Sequence, residues 1–432
     1  MAKNFIYGIG VSEGKEGAAA AAEAAKKALA ALKGKMPTIS HIYFTDDYDP
    51  QAVSNGLKAV LKDSEFIGGT ADSVFHNDNV MFRGIVVVSI YSEYMHVGIA
   101  STDNASKDPE TIAEKTVKEA IGKVHIDKYV DPYLLFTRMK QTHLSWMLKL
   151  PSFYVMVFTR GLKLPIMGDE AKIIKGLSNV IGLQIPVWGG SFGNKTEKVE
   201  TGQPYEITML HSGKIMKDGL IIAVTSTSLL YANSMESGCS PTEKCGFISE
   251  VANNGFVVTK ISNMDVADWY AEQLGMKKEE FLKSTRILTQ LHPLGIPDKL
   301  GNYMIRGGGI YMGKGLAYVA PFQKGWPVYL MDGNAKNLLT ASAKLRDNVD
   351  DYVHDASPSV TFVTQCVTRK LVLQKEQKKE LQMLRKSLGN SDIVGFGAFG
   401  ETGAKQGQQC SFEHVTLNVF CMYDKLMKDL KQ

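Results

Sequence analysis

Runs of apolar, β-branched residues alternate with stretches rich in Ala, Glu and Lys along most of the chain. Residues 5–11 are the first such run and predict a strand. Residues 14–32 follow with the composition of a helix. Ile39–Thr45 predicts a second, buried strand. Thr45, Asp46 and Asp47 then supply helix-start chemistry, and Pro50 suits the first turn of a helix ending at Leu61.

What comes after that helix recurs. The run Phe66-Ile67-Gly68-Gly69-Thr70 leads into two predicted strands, residues 82–91 and 95–101. A second round has a strand at 153–159, a helix over Glu170–Ile181 and the run Val187-Trp188-Gly189-Gly190-Ser191. Strands at 205–211 and 219–226 complete it. A third, looser round has a strand at 360–367, a helix at 374–388, the run Ile393-Val394-Gly395-Phe396-Gly397 and a strand at 415–422. The period is too long for a solenoid. The pattern therefore predicts an α/β, layered fold: mixed β-sheets with internally duplicated β-α-Gly-turn-β units, flanked by helices. Glycines at strand ends permit positive φ and close approach of backbone N–H groups to a ligand. Gly68, Gly69, Thr70, Gly189, Gly190, Ser191 and Gly397 are on that ground candidate ligand-binding residues, and three turns on related sheets could converge on one cavity.

Charge narrows the function classes. A formal +4 over 432 residues, with Lys and Arg interleaved with Asp and Glu, gives no nucleic-acid surface. The densest basic run, residues 375–386, reads as the solvated face of a helix. The apolar stretch 129–158 is broken by Arg138, Lys140, Lys149 and Pro151, so it does not predict a membrane span. No charged-then-apolar signal segment opens the chain, and five cysteines show no zinc or redox spacing. A cytoplasmic protein with reduced thiols is expected. Gly307-Gly308-Gly309 lacks a following helix with Lys-Ser/Thr, and residues 310–318 read as a hairpin rather than a phosphate loop. No GxSxG, HExxH or paired metal-spaced histidines occur.

The C-terminal half carries a more particular order. Cys366-Val367-Thr368-Arg369 ends a predicted strand, Gly395-Phe396-Gly397-Ala398-Phe399-Gly400-Glu401 forms a glycine–aromatic turn, and His414-Val415-Thr416 opens the last strand. Upstream lie Ser237-Gly238-Cys239-Ser240-Pro241, Asp265-Val266-Ala267-Asp268-Trp269-Tyr270 and Arg306-Gly307. Together with the two Gly-Gly runs, this order resembles the FIST family across nearly the whole chain, with a FIST N-terminal-like domain over 1–230 and a FIST C-terminal-like domain over 231–432. Two departures stand in the first run: Gly69 where many relatives carry Cys, and Ser73-Val74 where they often carry Gly-Glu.

The resemblance implies a sensory module of signal transduction that binds a small-molecule ligand, with an amino acid or related metabolite as candidate. Some bacterial relatives look like haem proteins responding to nitric oxide, which makes haem the alternative cofactor. Eukaryotic relatives attach an F-box, for which no room is expected before Phe5. The output is expected on a separate signalling protein, with no nucleic acid or membrane as partner and a homo-oligomer left open. Arg369, Gly400, Glu401 and His414 join the candidate ligand-binding residues. The residues themselves leave two roles open for Arg369: a bidentate grip on a ligand carboxylate, or a pair with Glu401. Glu401 could accept from a ligand ammonium or cap its loop. An enzyme using Cys366, Glu401 and His414 is a third reading.

Overall fold

In the computed structural model, residues 3–124, 152–162, 168–183, 185–201, 203, 205–299, 301–353, 356–404 and 409–427 are described. Three units follow one another along them. Unit one comprises β1 (Ile6–Ser12), α1 (Gly17–Ala30), β2 (Ile39–Thr45), α2 (Pro50–Leu61), β3 (Phe66–Ala71), the hairpin β4 (Val74–His76) and β5 (Asn79–Met81), and β6 (Ile85–Tyr91). Unit two repeats the order with β7 (Met95–Thr102), α3 (Pro109–Lys123), β8 (Ser152–Arg160), α4 (Glu170–Ile181), β9 (Val187–Phe192), β10 (Met209–His211), β11 (Lys214–Met216) and β12 (Leu220–Thr227). Unit three opens with β13 (Leu229–Glu236) and is interrupted by an insertion running from β14 (Ser240–Ala252) to β21 (Pro327–Asp332). It resumes with α5 (Ala341–Val353), β22 (Val360–Cys366), α6 (Gln377–Ser387), β23 (Asp392–Ala398), β24 (Glu401–Gly403), β25 (Ser411–Glu413) and β26 (Leu417–Leu426).

The strand orders make the repetition explicit. The three sheets read β1-β6-β2-β3-β10-β11, β7-β12-β8-β9-β24-β25 and β13-β26-β22-β23-β4-β5. Each takes four strands from one unit and its last hairpin from another. Unit one lends its hairpin to the third sheet, unit two to the first, and unit three to the second, so the exchange closes on itself. Equivalent backbone bonds lock it: Thr70 N–H donates to Thr208 O at 2.8 Å, Ser191 to Gly400 at 3.0 Å and Gly397 to Ser73 at 2.8 Å. The insertion forms a separate eight-stranded sheet.

Burial follows from this arrangement. One face of each sheet meets a shared core built from Tyr43, Phe158, Trp188, Phe192, Phe362, Phe396 and Phe420. The other face is covered by a helix pair: α1 and α2, α3 and α4, α5 and α6. Strands covered on both sides read as continuous apolar runs, and β2 and β22 are buried at every position. The Asp49 carboxylate caps α2 by accepting from Ala52 N–H at 2.7 Å.

The three glycine runs, expected as turns, are strands. Gly68 lies opposite Ile42, Gly189 opposite Val157 and Gly395 opposite Val363 across parallel pairs. A Cβ at these glycines would sit 1.8, 1.7 and 1.9 Å from the partner's carbonyl oxygen. Close approach of one strand to the next is what these glycines permit. Smaller differences are that β10 begins at Met209 rather than 205, and that a 3-10 turn (Gln374–Glu376) precedes α6. Of the apolar stretch 129–158, residues 129–151 lie outside the described residues. The expected hairpin at 310–318 is present, Ile310–Tyr311 pairing with Leu316–Ala317. No described helix is long and apolar enough to cross a membrane.

Candidate functional site

The pseudo-threefold arrangement gives each unit a position to compare. Cys366 N–H donates to Thr416 O, Thr45 N–H to Gly84 O and Arg160 N–H to Gly219 O, which makes Thr416, Gly84 and Gly219 equivalents. Two residues upstream stand His414, Phe82 and Lys217. Phe82 is 46% exposed and the Lys217 side chain 61%, whereas His414 is 4% exposed. The difference is the insertion. Its strand β18 (Tyr303–Arg306) bonds to this loop: His414 N–H donates to Ile305 O at 3.3 Å, and the Arg306 guanidinium to Phe412 O at 2.6 Å.

Between insertion and core lies a cavity of about 490 Å³, within the range of small-ligand sites. Cys366, Thr368, Phe399 and His414 come to it from unit three and Thr196 from unit two; Lys283, Thr285, Arg286, Gln290, Gly307 and Gly308 come from the insertion. The His414 ring stands edge-on to Phe412 at 5.1 Å, and neither of its nitrogens has a hydrogen-bond partner. Burial, helped by the Arg306 charge, pushes its pKa down to about 3, so it is a neutral imidazole.

Val415, which follows, has φ of 62°, a conformation that is an outlier for a β-branched residue. What holds it is Arg369. This guanidinium is fully buried, is paired with Glu380, and donates to the carbonyls of Val415 at 2.7 Å and Leu338 at 2.8 Å as well as to Ser237. Arg369 therefore does not pair with Glu401, and it is not among the residues that line the cavity. It positions the loop that carries His414.

Glu401 lies beneath the floor. Its Oε2 accepts from the Thr416 hydroxyl at 2.6 Å. Burial raises its pKa well above the usual carboxylate range, so it is a neutral acid. Burial, with Glu401 adding to it, pushes the Cys366 thiol up to about 12. Gly400, at φ 131° and with the Phe412 ring 2.1 Å from where a Cβ would stand, delivers Glu401 into this position.

The remaining candidates lie elsewhere in the core. Gly68, Gly69, Gly189 and Gly190 are inside β3 and β9; the Thr70 hydroxyl donates to Thr208 O, and Gly397 packs on Ser73. None of these, nor Ser191, lines the cavity. Ser191 donates to Glu170 at 2.8 Å, and burial raises the Glu170 pKa to about 7. Glu170 was missed in the sequence; a lone acid in a helix's first turn reads as dipole complement. A polar junction beside Thr196 joins all three units: Lys370 Nζ meets Asp72 at 3.0 Å and Glu197 at 3.1 Å, and Asp72 accepts from Thr196 N–H at 2.9 Å. Among the described residues no cluster of His, Cys, Asp and Glu could hold a metal ion.

These features define an α/β protein of three hairpin-exchanging units with a cavity between the third unit and its insertion. The FIST N domain model matches residues 41–264 and the FIST C domain model residues 267–404. The chain belongs to the FIST family, whose domains are sensory modules of signal transduction. No curated protein matches the chain. Among solved structures it is similar to a cyanuric acid hydrolase from A. caulinodans, at 7% identity and a TM-score of 0.38 over 97% of this chain and 99% of that one. PurLQS from Thermotoga maritima is more distant, at 9% identity and a TM-score of 0.21 over 84% and 76%.

Proposed function

We propose that the cavity beneath the insertion is the ligand site of a cytoplasmic sensor, taking a small polar metabolite of the size of an amino acid and signalling through a separate protein. The observation that carries this reading is His414: a buried, neutral imidazole with two unpartnered nitrogens in a cavity of about 490 Å³. A buried polar group without a partner costs roughly 1–3 kcal/mol. A strained Val415 adjoins it, and strain of this kind collects at ligand clamps. His414, Thr368 and Gln290 supply the polar contacts; Arg369 and Glu380 hold the loop. Five thiols without disulfides fit a reducing compartment.

The test compares native and denaturing mass spectra of gently purified protein with those of Thr368→Trp, which fills the cavity, and His414→Ala, with circular dichroism confirming that each variant folds. A retained small mass lost in Thr368→Trp is the expected result. A retained mass indifferent to both substitutions would overturn the reading.

Haem is a second reading, which the unpartnered His414 favours. His414 would hold the iron and Lys283 and Arg286 the propionates, and the bound group would supply a gas-binding metal. A Soret band absent from His414→Ala is its requirement. The enzyme reading finds less support, because a thiol pushed up to about 12 is not a nucleophile at neutral pH.

A further inference from the structure

The first turn of α4 carries a carboxyl that the cavity does not use. Glu170 is 2% exposed. Its Oε1 accepts from the Ser191 hydroxyl at 2.8 Å, and its Oε2 has no hydrogen-bond partner. The insertion lies beside it: a Cβ built on Gly168 would stand 2.3 Å from Oε2 and 2.9 Å from the carbonyl oxygen of Val319. Two oxygens therefore border one small gap, one from unit two and one from the insertion. A turn further along α4, Ile174 packs with Ala320 of the insertion and Phe412 of β25, and Val319 lies against the same cluster. Val319 also lines the cavity, so the seam and the cavity share a wall. The register that aligns Gly68, Gly189 and Gly395 puts Thr70 and Gly397 in the place of Ser191, and the Thr70 hydroxyl turns to a backbone carbonyl, Thr208 O.

We infer that Glu170 is a proton-operated latch between unit two and the insertion: the seam at Val319 and Ala320 closes over the protonated acid and loosens when the acid ionises. The inference does not depend on what the cavity binds. A protonated carboxyl is neutral, tolerates burial and has a hydrogen to donate toward the gap. The ionised form is an oxyanion shut away from water beside a carbonyl oxygen, and a buried charge without a partner is relieved by admitting water. The charges around it are engaged elsewhere. Arg160 of β8 pairs with Asp218 at 2.9 Å and Asp169 at 3.6 Å. Asp169 disfavours ionisation of Glu170, and Lys172 acts on Asp169. On the β24–β25 hairpin, Glu413 accepts from Ile305 N–H and the Ser411 hydroxyl, and Glu401 from Thr416. Residues 316–320 of the insertion carry no ionic side chain. In keeping with this, burial raises the Glu170 pKa to about 7 from the ordinary 4.5. The closed seam holds the proton, so its advantage is complete below that ordinary value and is lost as pH rises to neutrality.

The experiment is hydrogen–deuterium exchange of the full chain at pH 5.5 and 7.5, read as protection factors so that the intrinsic pH dependence of exchange cancels. The wild type is compared with Glu170→Gln and Glu170→Leu, neither of which titrates; the second keeps the test open if the first does not fold. The comparison also cancels the histidines, which titrate in all three proteins. Between the two pH values, peptides covering residues 316–320 and 411–413 should lose at least about tenfold more protection in the wild type than in either variant. Peptides of β2 and β6 in unit one should change equally in all three. A loss at 316–320 no larger in the wild type than in the variants overturns the inference. So does an excess loss spread evenly over β2 and β6, because Glu170 would then titrate with the whole fold and not with the seam.

Discussion

Replacing Arg369 by Met tests the claim that this residue holds the His414 loop instead of touching ligand. The substitution keeps roughly the length of the side chain but removes its charge and donors. Glu380 would be left as an uncompensated carboxylate with no solvent exposure, and the carbonyls of Ser237, Leu338 and Val415 would lose donors. Breaking a buried pair from one side costs about 3–5 kcal/mol. The orphaned carbonyls fall inside that figure, because groups sharing one partner do not add independently. Urea unfolding followed by far-ultraviolet circular dichroism should therefore show Arg369→Met destabilised by about 3–5 kcal/mol. Removing the other charge as well, in Arg369→Met with Glu380→Leu, should recover at least ~1 kcal/mol, since the desolvated carboxylate is then gone. Arg369→Met within ~1 kcal/mol of the wild type, or a double variant no more stable than the single, would refute the reasoning.

Other consequences are simpler to state. Gly395→Ala should cost at least about 2 kcal/mol in the same unfolding assay, because its Cβ would stand 1.9 Å from Val363 O inside a packed parallel pair. His41 and His414 are both held neutral, with pKa values near 3 caused by burial. Below pH ~6.5 the unfolded chain binds the extra protons, so stability falls with acid by about 1.4 kcal/mol per pH unit per histidine. His414→Phe should remove one proton from that slope. Glu170 runs the other way: its pKa of about 7 exceeds the unfolded value, so the native state holds the proton and stability falls as pH rises from ~4.5 to 7. Glu170→Gln should flatten that decline. Finally, a mild electrophile at pH 7 should label exposed Cys245 at least ~100-fold faster than Cys366, whose thiol is buried and almost entirely protonated.

Much of the element list was legible because strands buried on both faces and amphipathic helices leave strong patterns. Ile39–Thr45, Pro50–Leu61 and Glu170–Ile181 have the same bounds in sequence and structure. The glycine runs misled because Gly-Gly between apolar pairs has the composition of a turn. Only the register, with Gly68, Gly189 and Gly395 facing a neighbouring carbonyl, shows that the chain stays extended. Partner choice was also hidden. Arg369 and Glu401 end neighbouring segments, but Glu380 on α6 is the acid that reaches the guanidinium. Cys366, Glu401 and Thr416 do meet, since they sit at adjoining ends of β22, β24 and β26. The positive φ of Val415 left no trace, as nothing in a valine announces it.

The insertion explains why the three equivalent positions of a threefold body differ in burial. Phe82 and Lys217 occupy the places equivalent to His414, yet both lie in solvent, where a polar ring would be hydrated and would have no call on a ligand. Once residues 240–332 fold over the third unit, the same position becomes a floor. Water is withdrawn from the imidazole, and residues of the insertion such as Thr285 and Gln290 line the same space as a second wall. That wall belongs to two helices of the insertion, whose sheet is joined to the loop by Ile305 bonding to His414 and Arg306 to Phe412. A ligand bridging the two walls would add contacts between insertion and core that exist in neither alone. Binding would thus favour the arrangement in which the two walls are in contact, by the difference in the ligand's affinity for the two states.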